Sequence, residues 1–417
     1  MMVLSVYQEA GLLDTLEKLK ILGAAAKYDV CAAAGSCGAG GSGINPPRAG
    51  VCHSFTPDGR CISLFRVLMT NACQKDCFYC PNRAQRDIPR TGFNPAELAR
   101  LFMEFFRRNY VAGLFLSSGV AVSPERTMED MLRTVELLRS HYKYRGYIHL
   151  KILPGLGYDY IEQATRLASR VSVNIEAPNP LRMSKLSRLK DFQQDIIQRM
   201  LWINGLQGQN RLPAGHTTQF IVGAAGESDA DILNTTAGLY RLTGLRRAYF
   251  SAFQPVPDTP LENVVPVPVL REHRLYQTDF LLRRYNFSLE ELAFNKEGNL
   301  PMNIDPKTAA ALKNFHRFPL EINQASYEDL LRVPGIGTVS ASRIVKARRR
   351  FRISGIDELK NIGIVVKRAA PFILVNGKTQ SDFKPYEQLA LWRDLNDGFV
   401  LGTPPVSNQG GPFVTNL

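Results

Sequence analysis

Cys73, Cys77 and Cys80 stand in the run NACQKDCFYCPN, spaced C-x3-C-x2-C. Three thiolates so close in the chain can grip one side of a cubic iron–sulfur cluster. Such a cluster takes four ligands, so three leave one iron open to a small molecule. Spacing alone leaves a second chemistry open, a structural zinc ion that recruits Cys52, His53 or Cys61 as its fourth ligand. All seven cysteines, at 31, 37, 52, 61, 73, 77 and 80, fall in the first fifth of the chain. In a reducing compartment such clustered thiols are metal ligands or redox groups rather than a disulfide framework. The four earlier ones, spaced C-x5-C-x14-C-x8-C, match no common zinc-finger or ferredoxin pattern. They read either as an auxiliary iron–sulfur site involving Cys31, Cys52 and Cys61 or as unlinked thiols.

The elements that must position these residues follow from periodicity. Short apolar runs suit buried parallel strands at 62–69, 113–118, 147–152, 171–176, 217–223 and 247–253. Amphipathic helical segments lie between them, for example around Phe102, Phe105 and Phe106, or from Met128 to Leu138. Six strands each followed by a helix predict a parallel α/β architecture, which can curl into a partial barrel or lie open as a doubly wound sheet. The cysteine trio directly follows the first strand, and loops at the C-terminal ends of parallel strands are where this architecture builds active sites. Polar residues at the other strand ends are the matching candidates: Ser117, Ser118 and Gly119, then His149 and Lys151, then Asn174 and Glu176. Gly223 to Glu227, Ser251 and Gln254 complete that set.

The predicted division is an N-terminal helix and cysteine-rich loop (1–61), the barrel (62–290), a linker broken by prolines (291–320), a helical block (321–376) and a mobile tail (377–417). Lysine and arginine exceed the acids by 51 to 38, a net charge of +13 that favours polyanionic partners. Residues 321–376 carry ten bases against five acids. There, LLRVPGIGTVSASRIVKARRR places two helices around a Gly-apolar-Gly turn and resembles a helix-hairpin-helix nucleic-acid module. Gly335 and Gly337 permit the turn, backbone N–H groups at the next helix start can meet a phosphate, and Lys346, Arg348 and Arg349 add counter-charge. A weaker copy follows at Leu359 to Gly363. This mode grips backbone, so binding is expected to be salt-sensitive and to read little sequence. No stretch approaches the roughly 20 apolar residues that span a bilayer, and the N-terminus lacks a secretory pattern. No membrane association is expected, and the cytoplasm is the expected compartment.

With Tyr79 before the last cysteine and a six-strand α/β run around it, the motif resembles the radical S-adenosylmethionine superfamily. The resemblance implies a partial (β/α)6 TIM-like barrel, with a small all-α helix-hairpin-helix domain at the C-terminus. It also implies a four-iron, four-sulfur cluster whose open iron chelates S-adenosylmethionine, and a reductant such as flavodoxin or ferredoxin. One electron then cleaves the sulfonium to a 5′-deoxyadenosyl radical that abstracts hydrogen from substrate. Cofactor contacts implied are Tyr79, Ser117, Ser118, Gly119, Lys151, Asn174, Glu176, Gly223, Glu227 and Ser251. Ser117-Ser118-Gly119 stands where the family often shows Gly-Gly-Glu; the acid is missing, and the Ser118 hydroxyl with backbone carbonyls could substitute. KYDVC, CHSFTPDGRC, FLSSGV and the hairpin block together are similar to a bacterial family described as DNA modification or repair radical S-adenosylmethionine proteins, over roughly residues 5–376. Modification of RNA such as transfer RNA is an alternative, as is a nucleic-acid-binding protein whose cluster is structural or redox-sensing.

Overall fold

The computed structural model describes residues 15–26, 51–55, 61–207 and 211–380. The chain divides into two compact units, Met1–Glu227 with Thr235–Val267, and Ser228–Asn234 with Pro268–Leu417.

In the first unit β1 (Val51–Phe55) pairs antiparallel with β2 (Cys61–Leu68). Five parallel pairings then link β2, β3 (Gly113–Ser117), β4 (Tyr147–Lys151), β5 (Arg170–Ser172), β6 (His216–Val222) and β7 (Arg247–Ala252). Each parallel strand lies beside its neighbour in sequence, without the reversal of order that makes a doubly wound sheet. The six parallel strands form a curled half-barrel, and right-handed crossovers keep their helices on one side. These crossovers are α2 (Pro95–Arg107), α3 (Pro124–Glu136), α4 (Tyr158–Leu167), the short α5 (Pro180–Ser184) with α6 (Gln198–Leu206), and α7 (Asp229–Leu242).

Strand alternation gives one face to the helices and one to the lumen. Phe65 of β2 is wholly buried and meets Phe102 and Phe105 of α2 at ring-centroid distances of 6.5 and 5.2 Å. Leu68, one step out of phase with it, turns instead to the cavity described below. A capping box starts α2: Asn94 accepts from the Glu97 N–H, and Glu97 accepts in return from the Asn94 N–H. Glu97 also holds α1 (Thr15–Ala25), because its carboxylate takes two hydrogen bonds from the buried Lys18 ammonium at 3.0 and 3.2 Å. Leu19 faces the core and Leu16 is exposed; Leu12 lies outside the described residues.

The second unit contains α8 (Val269–Tyr285), α9 (Pro306–Lys313), α10 (Tyr327–Arg332), α11 (Thr338–Ala347), α12 (Ile356–Ile362) and α13 (Val366–Ala369). A small sheet of β8 (Leu320–Glu321), β9 (Ile373–Val375) and β10 (Lys378–Thr379) completes it. Two sequence expectations change here. The stretch from Leu275 to Leu282, expected within the barrel at 62–290, lies on α8 and groups with the C-terminal unit. Residues 291–320, expected as a linker, contain α9, whose Ala311 and Leu312 enter the same apolar core as Leu330, Ile336, Ile344 and Leu359. Pro306 does not break that helix but opens it behind the Asp305 cap, where a missing N–H costs nothing. The expected mobile tail lies outside the described residues beyond position 380, as does the cysteine-rich loop at 27–50.

Two stability predictions follow from buried charges. Glu97→Ala strands Lys18 and should cost about 3–5 kcal/mol in denaturant unfolding, with much of the loss recovered in Lys18→Met/Glu97→Leu; equal losses in both would contradict the pairing. Burial, with Arg368 nearby, lowers the Lys307 ammonium to about 7. Its folded-state value lies below the unfolded one of about 10.4, so the unfolded chain binds the extra proton between them and stability rises with pH over that interval. The melting temperature of the wild type should climb relative to Lys307→Met from about pH 7 to about pH 10; parallel profiles would refute it.

Candidate functional site

The loop after β2 carries the cysteine trio and is held by backbone and side-chain bonds rather than by regular structure. Thr70 and Asn71 fasten its base to residues 89–91: Thr70 donates to the Thr91 carbonyl, Asn71 donates to that of Pro89, and the Thr91 N–H donates to Asn71. The Arg90 guanidinium then donates to four carbonyls of the loop, those of Asn71, Asn82, Arg83 and Arg86, at 2.5 to 2.8 Å. From the next strand end, Val120 accepts from the Gln74 N–H at 2.7 Å. Gly119 lies so close that an added Cβ would collide with the Ala72 carbonyl oxygen, which is why this position takes glycine.

Cys73, Cys77 and Cys80 are free thiols lining one cavity of about 270 Å³ at the C-terminal ends of the barrel strands. Backbone N–H groups of Lys75 and Val120 point at the Cys73 sulfur, and that of Asn82 at the Cys80 sulfur, each at 3.4 Å. Such donors favour the thiolate. Burial opposes it: it raises the Cys80 thiol to about 12, with the Cys77 charge adding to the effect, and it raises Cys77 as well. Sulfurs that the backbone prepares for negative charge, in a cavity that disfavours that charge, fit a cationic metal centre. Among the described residues no three His, Cys, Asp or Glu side chains gather tightly enough to hold a single metal ion.

The same cavity is lined by Tyr79, Ser118, Gly119, Lys151, Asn174, Glu176 and Ser251. Ser118 Oγ and Glu176 Oε2 are buried there with no hydrogen-bond partner, so the wall presents unmet polar atoms to a ligand. Glu176 adopts φ 62°, a left-handed conformation that a non-glycine residue rarely takes. It is held there by its N–H on the Gln219 carbonyl and by the Ile221 N–H on its own.

Three expected cofactor residues do not line the cavity. Ser117 is buried within β3, where its carbonyl accepts from the Met69 N–H. Gly223, at φ 85°, and Glu227 belong to a turn after β6, in which the Glu227 carboxylate accepts from the N–H groups of Gly223 and Ala225 and the Ala225 carbonyl accepts from Arg182. His149 also stays away, stacked on Phe115 at 4.2 Å and kept neutral by burial, which pushes it well below the usual histidine range. Cys31 lies outside the described residues; Cys52 and Cys61 fall on the adjoining β1 and β2, and no auxiliary ligand set is assigned.

Sequence reading missed Lys190. Asp76 of the cysteine loop accepts from the Ser187 hydroxyl at 2.5 Å and from the Arg188 N–H at 2.9 Å, while Leu186 accepts from the Phe78 N–H. These bonds deliver Lys190 into the cavity, where it lies 3.8 Å from Glu176 and 6.0 Å from the centre of the Tyr79 ring. A lysine in LSRLK carries no local signal of such a place.

In the second unit the Gly335 to Gly337 turn joins α10 to α11. Gly335 sits at φ 85°, and an added Cβ would stand 2.5 Å from the Val365 carbonyl oxygen. The Val365 N–H donates to the Gly335 carbonyl, which ties this turn to the one between α12 and α13. Gly337 starts α11 without a side-chain cap. The expected basic residues do not gather at this turn. Lys346, Arg348 and Arg349 lie at the far end of α11, about 12–17 Å away at 1.5 Å rise per residue. Arg348 is moreover engaged, donating to the carbonyls of Ile322 and Ala325. The basic side chains near the paired turns include the buried Lys307, which donates to the Ile336 carbonyl, Arg343, which donates to that of Ile362, the exposed Lys367, and Arg368, which bonds Asp305.

Residues 67–237 match the family model described as Radical SAM superfamily, and residues 319–366 match the helix-hairpin-helix motif. No curated protein matches. Among solved structures, the chain is similar to the FeFe-hydrogenase maturase HydG from Carboxydothermus hydrogenoformans, with 13% identity, 52% of this chain and 50% of that chain covered, and a TM-score of 0.43. It is also similar to methylornithine synthase, with 13% identity, coverage of 52% and 60%, and a TM-score of 0.42. A radical SAM methyltransferase from Sphaerobacter thermophilus gives 17% identity, coverage of 56% and 71%, and a TM-score of 0.41. The chain spans about half the length of the maturases it matches. The family match makes residues 67–237 a radical SAM domain, and that superfamily implies a four-iron, four-sulfur cluster and S-adenosylmethionine. No described helix is long and apolar enough to cross a membrane.

Arg90→Met removes the four bonds that gather the cysteine loop. Iron retained per chain after anaerobic reconstitution should fall at least twofold while far-ultraviolet circular dichroism stays unchanged; full retention would contradict the role given to Arg90.

Proposed function

From the radical SAM domain at residues 67–237 and the hairpin motif at 319–366, we infer that this enzyme modifies or repairs a nucleotide unit of DNA. One observation carries the reading: a cysteine-lined cavity with unmet polar atoms and a glycine-turn hairpin unit occur in one chain. Cys73, Cys77 and Cys80 would hold the cluster, which with S-adenosylmethionine supplies a carbon radical able to abstract hydrogen. The electron would come from a small low-potential protein such as flavodoxin or ferredoxin.

The residues around the cavity have separable tasks. Ser118 Oγ, beside the close-packed Gly119, is placed to accept from the amino group of the methionine moiety, the task of the acid missing after β3. Glu176 Oε2 would accept from ribose hydroxyls, and Lys151 would offer its ammonium to a carboxylate. Tyr79, Asn174 and Ser251 would complete the wall around the cofactor. Leu68, Ile152, Leu153 and Phe253 supply the apolar lining that keeps water from a reactive radical.

In the second unit, uncapped N–H groups at the start of α11 and the cations Arg343, Lys367 and Arg368 grip phosphates. Lys346 and Arg349 would reach a more distant part of the backbone. A target base inside a duplex must leave the stack to reach a barrel cavity.

The reconstituted, reduced enzyme should form 5′-deoxyadenosine from S-adenosylmethionine, with DNA increasing the yield. Stimulation by transfer RNA and not by DNA would transfer the reading to RNA, and no cleavage with a fully loaded cluster would overturn it. Gly335→Val/Gly337→Val should weaken DNA binding at least tenfold and leave iron content unchanged; equal affinity would remove the hairpin from the account.

A further inference from the structure

Lys190 is buried in the cavity wall with its side chain 7% exposed, yet it is not placed as a surface lysine that strayed inward. A chain of contacts brings it there. Asp76, between the first two cysteines, clamps Ser187 and Arg188, and the segment it fixes ends on Lys190. The ammonium then stands 3.8 Å from Glu176 Oε1 and over the ring of Tyr79, which lies between Cys77 and Cys80, in the cavity that the three cysteines line. The cavity of the three cysteines therefore contains a buried cation and a buried carboxylate side by side. A buried charge survives only when it is paired, and the Glu176 carboxylate supplies that pairing for Lys190.

We propose that Lys190 is a positioning residue for electron entry: its positive charge in the cavity of the three cysteines makes the cluster easier to reduce, and Glu176 limits that effect. The proposal rests on the reading of Cys73, Cys77 and Cys80 as cluster ligands. Reduction adds one electron, and hence one negative charge, without moving an atom of the protein. A cation in the same cavity stabilises the more negative state more than the less negative one, and where water is scarce that difference is weakly screened. Glu176 acts with the opposite sign. Its left-handed backbone conformation keeps the carboxylate inside the cavity, where it can oppose the lysine.

The test is a redox titration with dithionite, followed by electron paramagnetic resonance, on the reconstituted full chain without S-adenosylmethionine. At the potential where the wild type is half reduced, Lys190→Met should lower the ratio of reduced to oxidised cluster by about tenfold or more. Glu176→Gln should raise that ratio, and Lys190→Arg should stay near the wild type. The double variant Lys190→Met/Glu176→Gln, which leaves no buried charge unpaired, should fall between the two single ones and keeps the test open if Lys190→Met loads poorly. A merely structural pair would lower iron content in both single variants and leave the potential of the remaining cluster unchanged. That result overturns the proposal. Unchanged potentials with weakened S-adenosylmethionine binding overturn it too, assigning Lys190 to the cofactor instead. A wild type that binds no iron overturns the cluster reading, whereas a loaded cluster indifferent to Lys190 overturns this proposal alone.

Discussion

Three sulfurs brought together in a buried cavity repel one another as thiolates and lose their hydration together. This conflict governs the architecture of the barrel unit. Burial raises Cys77 and Cys80, while the Asn82 N–H aimed at Cys80 and the positive charge of Lys190 pull the other way. Burial pushes the Cys80 thiol up to about 12, and a cationic metal centre would favour its thiolate. The rest of the loop holds the sulfurs in that unfavourable place: Arg90 gathers its carbonyls, Thr70 and Asn71 close its base, and Gly119 lets the next strand end pack against it.

Sequential strand order places this loop well. With each parallel strand beside its predecessor, the six C-terminal ends surround one mouth, so residues as far apart as Cys73, Lys151 and Ser251 share a cavity. The hairpin unit is built on a different principle. There, Gly335 and Gly363 adopt positive φ at paired turns, and Ser340 donates to the Gly363 carbonyl to hold the two together. Rigid backbone rather than a particular side chain is what such a surface offers a polymer.

Much of this was legible from one-dimensional spacing. The cysteine trio, the six strands and the glycine turn each depend on residues within one or two helical turns of each other, and all appear where the periodicity places them. Arg90, Asp76 and Lys190 carried no such signal. Asp76 and Lys190 cooperate across more than a hundred residues, and a lone arginine or aspartate looks the same whether it is solvated or clamped. The hairpin charges were misplaced for a different reason. Counting Lys346, Arg348 and Arg349 as neighbours of the turn ignored the length of α11, which carries them to its other end. The linker expected at 291–320 fails on its prolines, since proline breaks a helix only from within and Pro306 is the first residue of one.

The central claim is that three cysteines hold a cubane with one iron left for an outside ligand. Mössbauer spectroscopy of iron-labelled, anaerobically reconstituted protein tests it most directly, before and after addition of S-adenosylmethionine. The account predicts a cubane signal that persists with one iron site shifted by the cofactor. A spectrum unchanged by S-adenosylmethionine, or tetrahedral zinc on the three sulfurs in place of iron, would contradict it.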